Sequence, residues 1–244
     1  MHTATYYIDL LLSGITVGSL YALIAIGYTM VYGILRLINF AHGDIFMMAG
    51  FFMVYISASM PMAVAIPVVL IMTVALGLLI ERAAYKPLRS APRMSVMISA
   101  IGVSYLLQNL ATYITGGLAR PYPEIPFLKG TFMLGALKIK IITVVTPLLT
   151  ILLVIALVIF INHTKTGMAM RAVSRDFDTA RLMGIKVNNI ISVTFIIGSF
   201  LAGVGSILYF SNYGQVSPTI GAMPGLKAFV AAVFGGIGSI PGAV

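Results

Sequence analysis

The chain has 244 residues, 60% hydrophobic and 9% charged, with a formal charge of +9. Soluble domains carry roughly 25% charged residues, so an ordinary soluble domain is excluded and an integral membrane protein is expected. Cysteine is absent, which excludes disulfides, thiol catalysis and thiolate metal sites. The Lys and Arg residues lie between apolar runs, so positive-inside anchoring explains the charge better than a nucleic-acid surface.

The apolar runs are too long and too unalternating for barrel strands of about ten residues. They are expected to be helices, the other structure that satisfies the backbone in hydrocarbon. The N-terminus lacks a basic n-region and a cleavage site, so its first apolar run reads as a retained helix. That run, Leu10–Leu35, is uncharged and ends at Arg36. Ile45–Leu79 is also uncharged and would be about 50 Å long as one helix. Ser59-Met60-Pro61 is the expected break, because Ser favours a cap and Pro an early helical position. A second helix from about Asn39 to Ala58 and a third from Pro61 to Ile80 follow.

Glu81–Arg93 reads as a short polar loop, Met94–Leu118 as a fourth span, and Arg120–Lys140, with three prolines, as a longer loop. Ile141–Ile161 and Ile190–Phe210 are the fifth and sixth spans. Asn212–Gly225 is rich in Pro and Gly, and Ala228–Val244 begins another apolar helix. That last segment is short for a span, so one or two further helices are expected beyond it. The fold class expected is all-α, a polytopic transmembrane helical bundle forming a single domain over residues 1–244.

Orientation follows from Lys and Arg. Arg36, Arg82, Lys86, Arg89, Arg93, Lys165, Arg171, Arg175, Arg181 and Lys186 share one face under this helix count, against Arg120, Lys129, Lys138 and Lys140 on the other. The richer face is expected to be cytoplasmic, with the N-terminus outside.

Residues 164–189 form a charged, helix-prone segment on that basic face. Val173, Phe177 and Ala180 have i, i+4, i+7 spacing, which predicts one short helix. Asp176 and Asp178 stand where a helix start favours acids, and Gly184 is a natural terminator with Lys186 just beyond. At about two turns such a helix needs packing, either on its own bundle or on a docked partner.

Four sequence blocks now combine. They are Gly18 to Gly33 (GSLYALIAIGYTMVYG), Ile38 to Asp44 (INFAHGD), Arg171 to Ile185 with its Ala180-Arg181-Leu182-Met183-Gly184-Ile185 ending, and Gly225 to Phe229 followed by Gly235 to Ala243. Together they resemble the branched-chain amino acid permease family of ATP-binding-cassette importers. The resemblance runs in order along essentially the whole chain and is weakest over Arg120–Lys140. It implies a pump with a second homologous permease subunit, two ATPase subunits and a periplasmic or extracellular substrate-binding protein, in a bacterial or archaeal cytoplasmic (inner) membrane. By that resemblance Arg171, Asp176, Ala180, Arg181, Leu182, Gly184 and Ile185 would couple the chain to an ATPase. No G-x-x-x-x-G-K-[ST] loop occurs, so ATP is expected on partner subunits, with no cofactor, no metal and no catalytic residue in this chain.

Two polar groups are candidates for a path or gate. Asn39, His42 and Asp44 are expected at the cytoplasmic end between helices one and two, where Asn39 could cap and Asp44 would suit the helix dipole. Ser104, Gln108 and Asn109 lie within the fourth span, where such groups serve either as interhelical hydrogen bonds or as a polar lining. No acid is expected deep in a span. Gly14-x-x-x-Gly18 and the Ser199, Ala202, Gly203, Ser206 set are read as close-packing positions. A urea or short-chain amide permease of the same family shares much of the pattern. An ion-coupled secondary transporter would require mid-depth acids and inverted halves, and a passive channel would leave the docking segment unused.

Overall fold

The computed structural model describes residues 2–89, 91–134, 137–236, 238 and 242. Ile237, Ser239, Ile240, Pro241 and Ala243 of the Gly-rich block lie outside the described residues.

Helix α1 (His2–Leu35) has no proline and runs 34 residues. It stops at Arg36, which takes φ 53°, a left-handed conformation costly to a residue with a Cβ. Helix α2 spans His42–Ile56 and α3 Met62–Ile80, with Pro61 at the N-cap between them. The backbone then continues as a π-type turn over Glu81–Tyr85. The expected polar loop is thereby corrected, since its first five residues prolong the third span. After α4 (Arg93–Thr115), the segment expected as a longer loop contains strand β1 (Arg120–Pro121) and a hairpin of β2 (Thr131–Leu134) with β3 (Leu137–Lys140). Helices α5 (Ile141–His163), α6 (Lys165–Arg175), α7 (Phe177–Leu182) and α8 (Val187–Tyr213) follow. Strand β4 (Gln215–Val216) pairs antiparallel with β1, and α9 (Ala222–Phe234) is the last helix among the described residues.

Among the described residues five helices are long and apolar enough to cross a membrane: Tyr6–Leu35, Met62–Tyr85, Met94–Thr115, Ile141–His163 and Val187–Tyr213. The expected second span is not one of them. Helices α2 and α9 have 15 and 13 residues, about 22 and 20 Å, well short of a hydrocarbon core of about 30 Å. Helix α2 is a half-helix buried inside the bundle, and α9 is a second one packed on α1 and α2 by one face, with Met223, Leu226 and Phe234 exposed.

Helix α8 is the hub, buried over most of its length and packed on α1, α2 and α3. Its small residues permit this. A Cβ added at Gly77 of α3 would lie 1.8 Å from the Ser199 hydroxyl, and one at Gly203 would lie 3.0 Å from Leu70. Without a hydrophobic drive between helices in lipid, such close backbone approach is the main source of cohesion. Gly14 and Gly18 are different, because no atom lies within 4 Å of where their side chains would be. The close-packing expectation therefore fails for that pair within the subunit. Thr16 ties α1 to α5 by donating to the Thr143 carbonyl at 3.1 Å.

Candidate functional site

The chain leaves α1 at the basic end, then residues 37–41 climb back into the bundle before α2 begins. Ser104, the partner of Asp44, is the middle residue of the 23-residue α4. His42 fits against Gly27 of α1 and Gly198 of α8, the latter near that helix's midpoint. A Cβ at Gly27 would lie 2.2 Å from His42 Nε2. The His42–Asp44 turn thus lies near mid-depth. The expectation that it sits at the end of the bundle is corrected, and so is the expectation that no acid lies deep in the spans.

Each residue of this turn has a distinct setting. Asn39 does not cap α2; its Oδ1 accepts the Tyr85 hydroxyl at 2.8 Å, and both side chains are buried. The buried His42 ring meets Tyr28 edge-on at 4.8 Å. Gly43 faces α9 across almost no gap, since a Cβ there would lie 2.6 Å from the Gly221 carbonyl oxygen and 3.1 Å from Gly225 Cα.

Asp44 is 2% exposed. Its carboxylate accepts from the Ser104 hydroxyl and, at 3.0 Å, from the Gln108 amide, which also donates to Ser104 Oγ at 3.2 Å. Asn109 stands apart, its amide donating to the Tyr105 carbonyl of its own helix. Among the described residues the ion pairs are Arg89–Glu81, Lys129–Glu124 and Arg181–Asp178, so Asp44 has no cationic partner there. It borders a cavity of about 370 Å³ between α1, α2, α4 and α9, lined also by Tyr28, Phe40, Ile101, Tyr105, Leu226 and Phe229.

The second part of the site is the segment at the basic end. The expected single helix is two, α6 and α7, because Asp176 breaks it with an extended backbone (φ −154°, ψ 120°). The apolar stripe survives the break: Val173 and Ala180 are buried and Phe177 half-buried. Thr164 caps α6 by accepting from the Gly167 N–H at 3.0 Å. Arg171 turns inward and donates to the Ile161 carbonyl and to Asn162 Oδ1, bracing α6 on the end of α5. Arg36 donates to the carbonyls of Ser174 and Arg175 at 3.4 and 3.3 Å. A guanidinium on the last carbonyls of a helix suits its dipole, and this contact offsets the unusual φ of Arg36.

Helix α7 ends in a Schellman closure. The Gly184 N–H bonds to the Arg181 carbonyl at 2.9 Å and the Ile185 N–H to the Ala180 carbonyl at 3.1 Å, with Gly184 at φ 81°. Between these bonds Leu182 and Met183 project outward, 87% and 78% exposed. Arg181 is exposed beside them, and Ile185 is half-buried against the bundle. The chain therefore presents a short apolar knob, rigid at both ends, at its most highly charged face.

Asp176 caps α7 by accepting from the Thr179 hydroxyl and from the Asp178 N–H at 3.0 Å. These bonds, the Thr179 one foremost, hold its carboxyl below the usual aspartate range. A depressed acid contributes stability above its unfolded pKa and loses it as pH falls through the folded one. Amide protection at Asp178 and Thr179 is therefore expected to be level from pH 7 down to about 4 and to fall below that. Equal protection at pH 3 and 7 would show that the cap does not hold the helix.

Sequence reasoning missed Tyr85, Gly27 and Gly198, which build the pocket around Asn39 and His42, and the buried pair Glu81–Arg89. No short-range signal marks Tyr85, whose partner is 46 positions away.

The comparisons with known proteins bear on this arrangement. A family model described as "Branched-chain amino acid transport system / permease component" matches residues 10–244. The high-affinity branched-chain amino acid transport system permease protein BraD of Pseudomonas aeruginosa is 42% identical, over 98% of this chain and 82% of its own length. The corresponding proteins LivH of Escherichia coli K12 and of Salmonella typhimurium are 40% identical over the same shares. No solved structure matches the chain. With the family model covering nearly the whole chain and relatives this similar, the polytopic helical bundle described above belongs to the family of branched-chain amino acid transport system permease components.

Proposed function

We propose that the chain is the permease subunit of an ATP-binding-cassette importer that moves branched-chain amino acids across the cytoplasmic membrane, powered by separate ATPase subunits. The similarity to BraD and the LivH proteins, which are branched-chain amino acid permeases, supports the substrate class. The observation that carries the mechanism is the α6–α7 segment, with its exposed Leu182–Met183 knob held between Asp176 and Gly184. In this reading the basic end is cytoplasmic and the N-terminus outside. The knob sits in an ATPase groove, and motion there reaches α1 through Arg36 and α5 through Arg171. A binding protein delivers substrate at the opposite end. A second homologous permease covers the open side of the Asp44 cavity, because a carboxylate at mid-depth is not tolerated against lipid.

Asp44 also bears on two rivals. Urea and short amides carry no cation for a buried carboxylate to attract, which favours amino acids over them. An ion-driven carrier would use a mid-depth acid, so Asp44 is the one observation in its favour.

Proteoliposomes holding the full complex separate these readings. Leucine uptake is expected to require internal ATP and loaded binding protein, and uptake driven by a pH gradient without ATP would overturn the importer reading. Within that assay Gly184→Val tests the knob. A valine Cβ meets no neighbour within 4 Å, so its effect is confined to left-handed strain of about 1–2 kcal/mol in the closure of α7. Leucine moved per ATP is expected to fall about 5- to 30-fold while basal hydrolysis continues. An unchanged ratio would remove α7 from the coupling path.

A further inference from the structure

We propose that the cavity beside Asp44 is a transit site in which the Asp44 carboxylate accepts the ammonium group of an α-amino acid, while Phe40, Ile101 and Phe229 receive its aliphatic side chain. The proposal rests on the importer reading above and adds to it the recognition chemistry inside the permease.

Asp44 stands in the first turn of α2, where the helix dipole favours a carboxylate, but that effect is typically about 0.3–1 kcal/mol and does not offset the burial of a charge. The residue does not cap its own helix: Ala41 is the N-cap and no side chain bonds there. Its two acceptors are engaged by Ser104 and Gln108, and an asparagine could accept from either of those donors without placing a charge inside the bundle. Burying a carboxylate without a cation is costly, and no Lys or Arg pairs with it among the described residues. Both donors come from α4 and line the same cavity as Asp44, facing α9 across it. A mobile cation that visits this cavity accounts for the charge, and a permeating amino acid carries one.

The rest of the cavity fits the same molecule. At about 370 Å³ it falls in the range of small-molecule sites, roughly 300–1,000 Å³. Its wall away from Asp44 is aromatic and aliphatic, suited to a branched hydrocarbon side chain. The Ser104 and Gln108 bonds hold the carboxylate's orientation and moderate its pull on an ammonium group. That is what a path needs, since substrate must leave as well as enter.

The test uses the whole complex in proteoliposomes, with a reporter in this naturally cysteine-free chain. Asp44→Asn is expected to reduce ATP-driven leucine uptake tenfold or more, and Asp44→Glu to keep at least a third of it. Leu226→Cys, on the cavity wall, is then labelled with a trimethylammonium and a sulfonate methanethiosulfonate. The cationic reagent is expected to react at least tenfold faster, leucine to slow it, and the preference to vanish when Asp44→Asn is added.

Uptake by Asp44→Asn within twofold of wild type would overturn the site. So would a charge preference that survives that substitution, or labelling that leucine does not slow. The last two read the cavity directly, so they remain decisive if Asp44→Asn assembles poorly. A wild-type complex that imports leucine without ATP would instead sink the importer reading and make Asp44 a proton carrier. The two failures are therefore distinct.

Discussion

Gly43→Ala is expected to lower the melting temperature of the purified chain in detergent by roughly 6–12 °C and to abolish leucine uptake. The reason is geometric. The new Cβ would lie 2.6 Å from the Gly221 carbonyl oxygen and 3.1 Å from Gly225 Cα. Both are backbone atoms, so no rotamer change relieves the clash and one half-helix must move off the other. Overpacking of this kind costs about 1–3 kcal/mol, here near the upper end, and each kcal/mol is worth about 2–4 °C in a chain of this length. The reciprocal change Gly221→Ala, whose Cβ would lie 2.3 Å from the Gly43 carbonyl oxygen, is expected to behave alike. Gly14→Ala supplies the contrast. No neighbour lies within 4 Å of its Cβ and alanine is the better helix former, so stability should hold or rise slightly. If Gly43→Ala and Gly14→Ala melt together, α2 and α9 do not cross as closely as described.

The contrast between these glycines also shows what a one-dimensional reading can reach. Gly14 and Gly18 form the recognisable spacing motif, yet the motif carries no information about which side of α1 meets another helix. Gly43 sits in no such spacing with Gly221, almost 180 positions away, and only the path of the chain brings them together. Local signals were more informative where they are local in origin. Pro61 begins α3 because its ring removes an N–H that the first turn does not need. Gly184 ends α7 because the closure demands a positive φ. Asp176 caps a helix start as its residue type predicts, although a periodicity that ran through it concealed the break.

Depth was the quantity the sequence did not carry. Ile45–Leu79 is uncharged throughout, so a residue count starts a full second span near Asn39 and sets the first turn of α2, with Asp44, at the membrane edge. What lifts this turn to mid-depth is the cover that Leu37, Ile38 and Phe40 find against the core, and cover depends on partners from distant helices. The same limit applied to Glu81. A Glu followed by Arg82, Lys86 and Arg89 has the composition of a solvated loop, yet the side chain is 1% exposed because the π-type turn carries it beneath α8.

Arg89→Met is the second change with a large expected effect. Arg89 bonds to Glu81 and to Asn188 Oδ1 at the start of α8, and Ser192 donates to the other Glu81 oxygen at 3.1 Å. Burial pulls the Arg89 guanidinium below its usual value, with Glu81 opposing the shift, so the pair is held in a poorly solvated place. Glu81 is 1% exposed and Arg89 18%, so removing the guanidinium leaves a buried carboxylate uncompensated at a cost near the lower end of the range for buried pairs, about 3 kcal/mol, or roughly 6–12 °C of melting temperature. The loss should exceed the worth of the bond itself, because most of it is the stranded Glu81 carboxylate. Adding Glu81→Gln to Arg89→Met is therefore expected to restore most of the stability, since the neutral amide can still accept from Ser192. Lys129→Met is the control. Its ion pair with Glu124 lies in the open, where such pairs contribute about 0–1 kcal/mol, and its melting temperature should stay within about 2 °C of wild type. A double variant no more stable than Arg89→Met alone would mean that the guanidinium acts through Asn188 and α8, with the charge of Glu81 incidental.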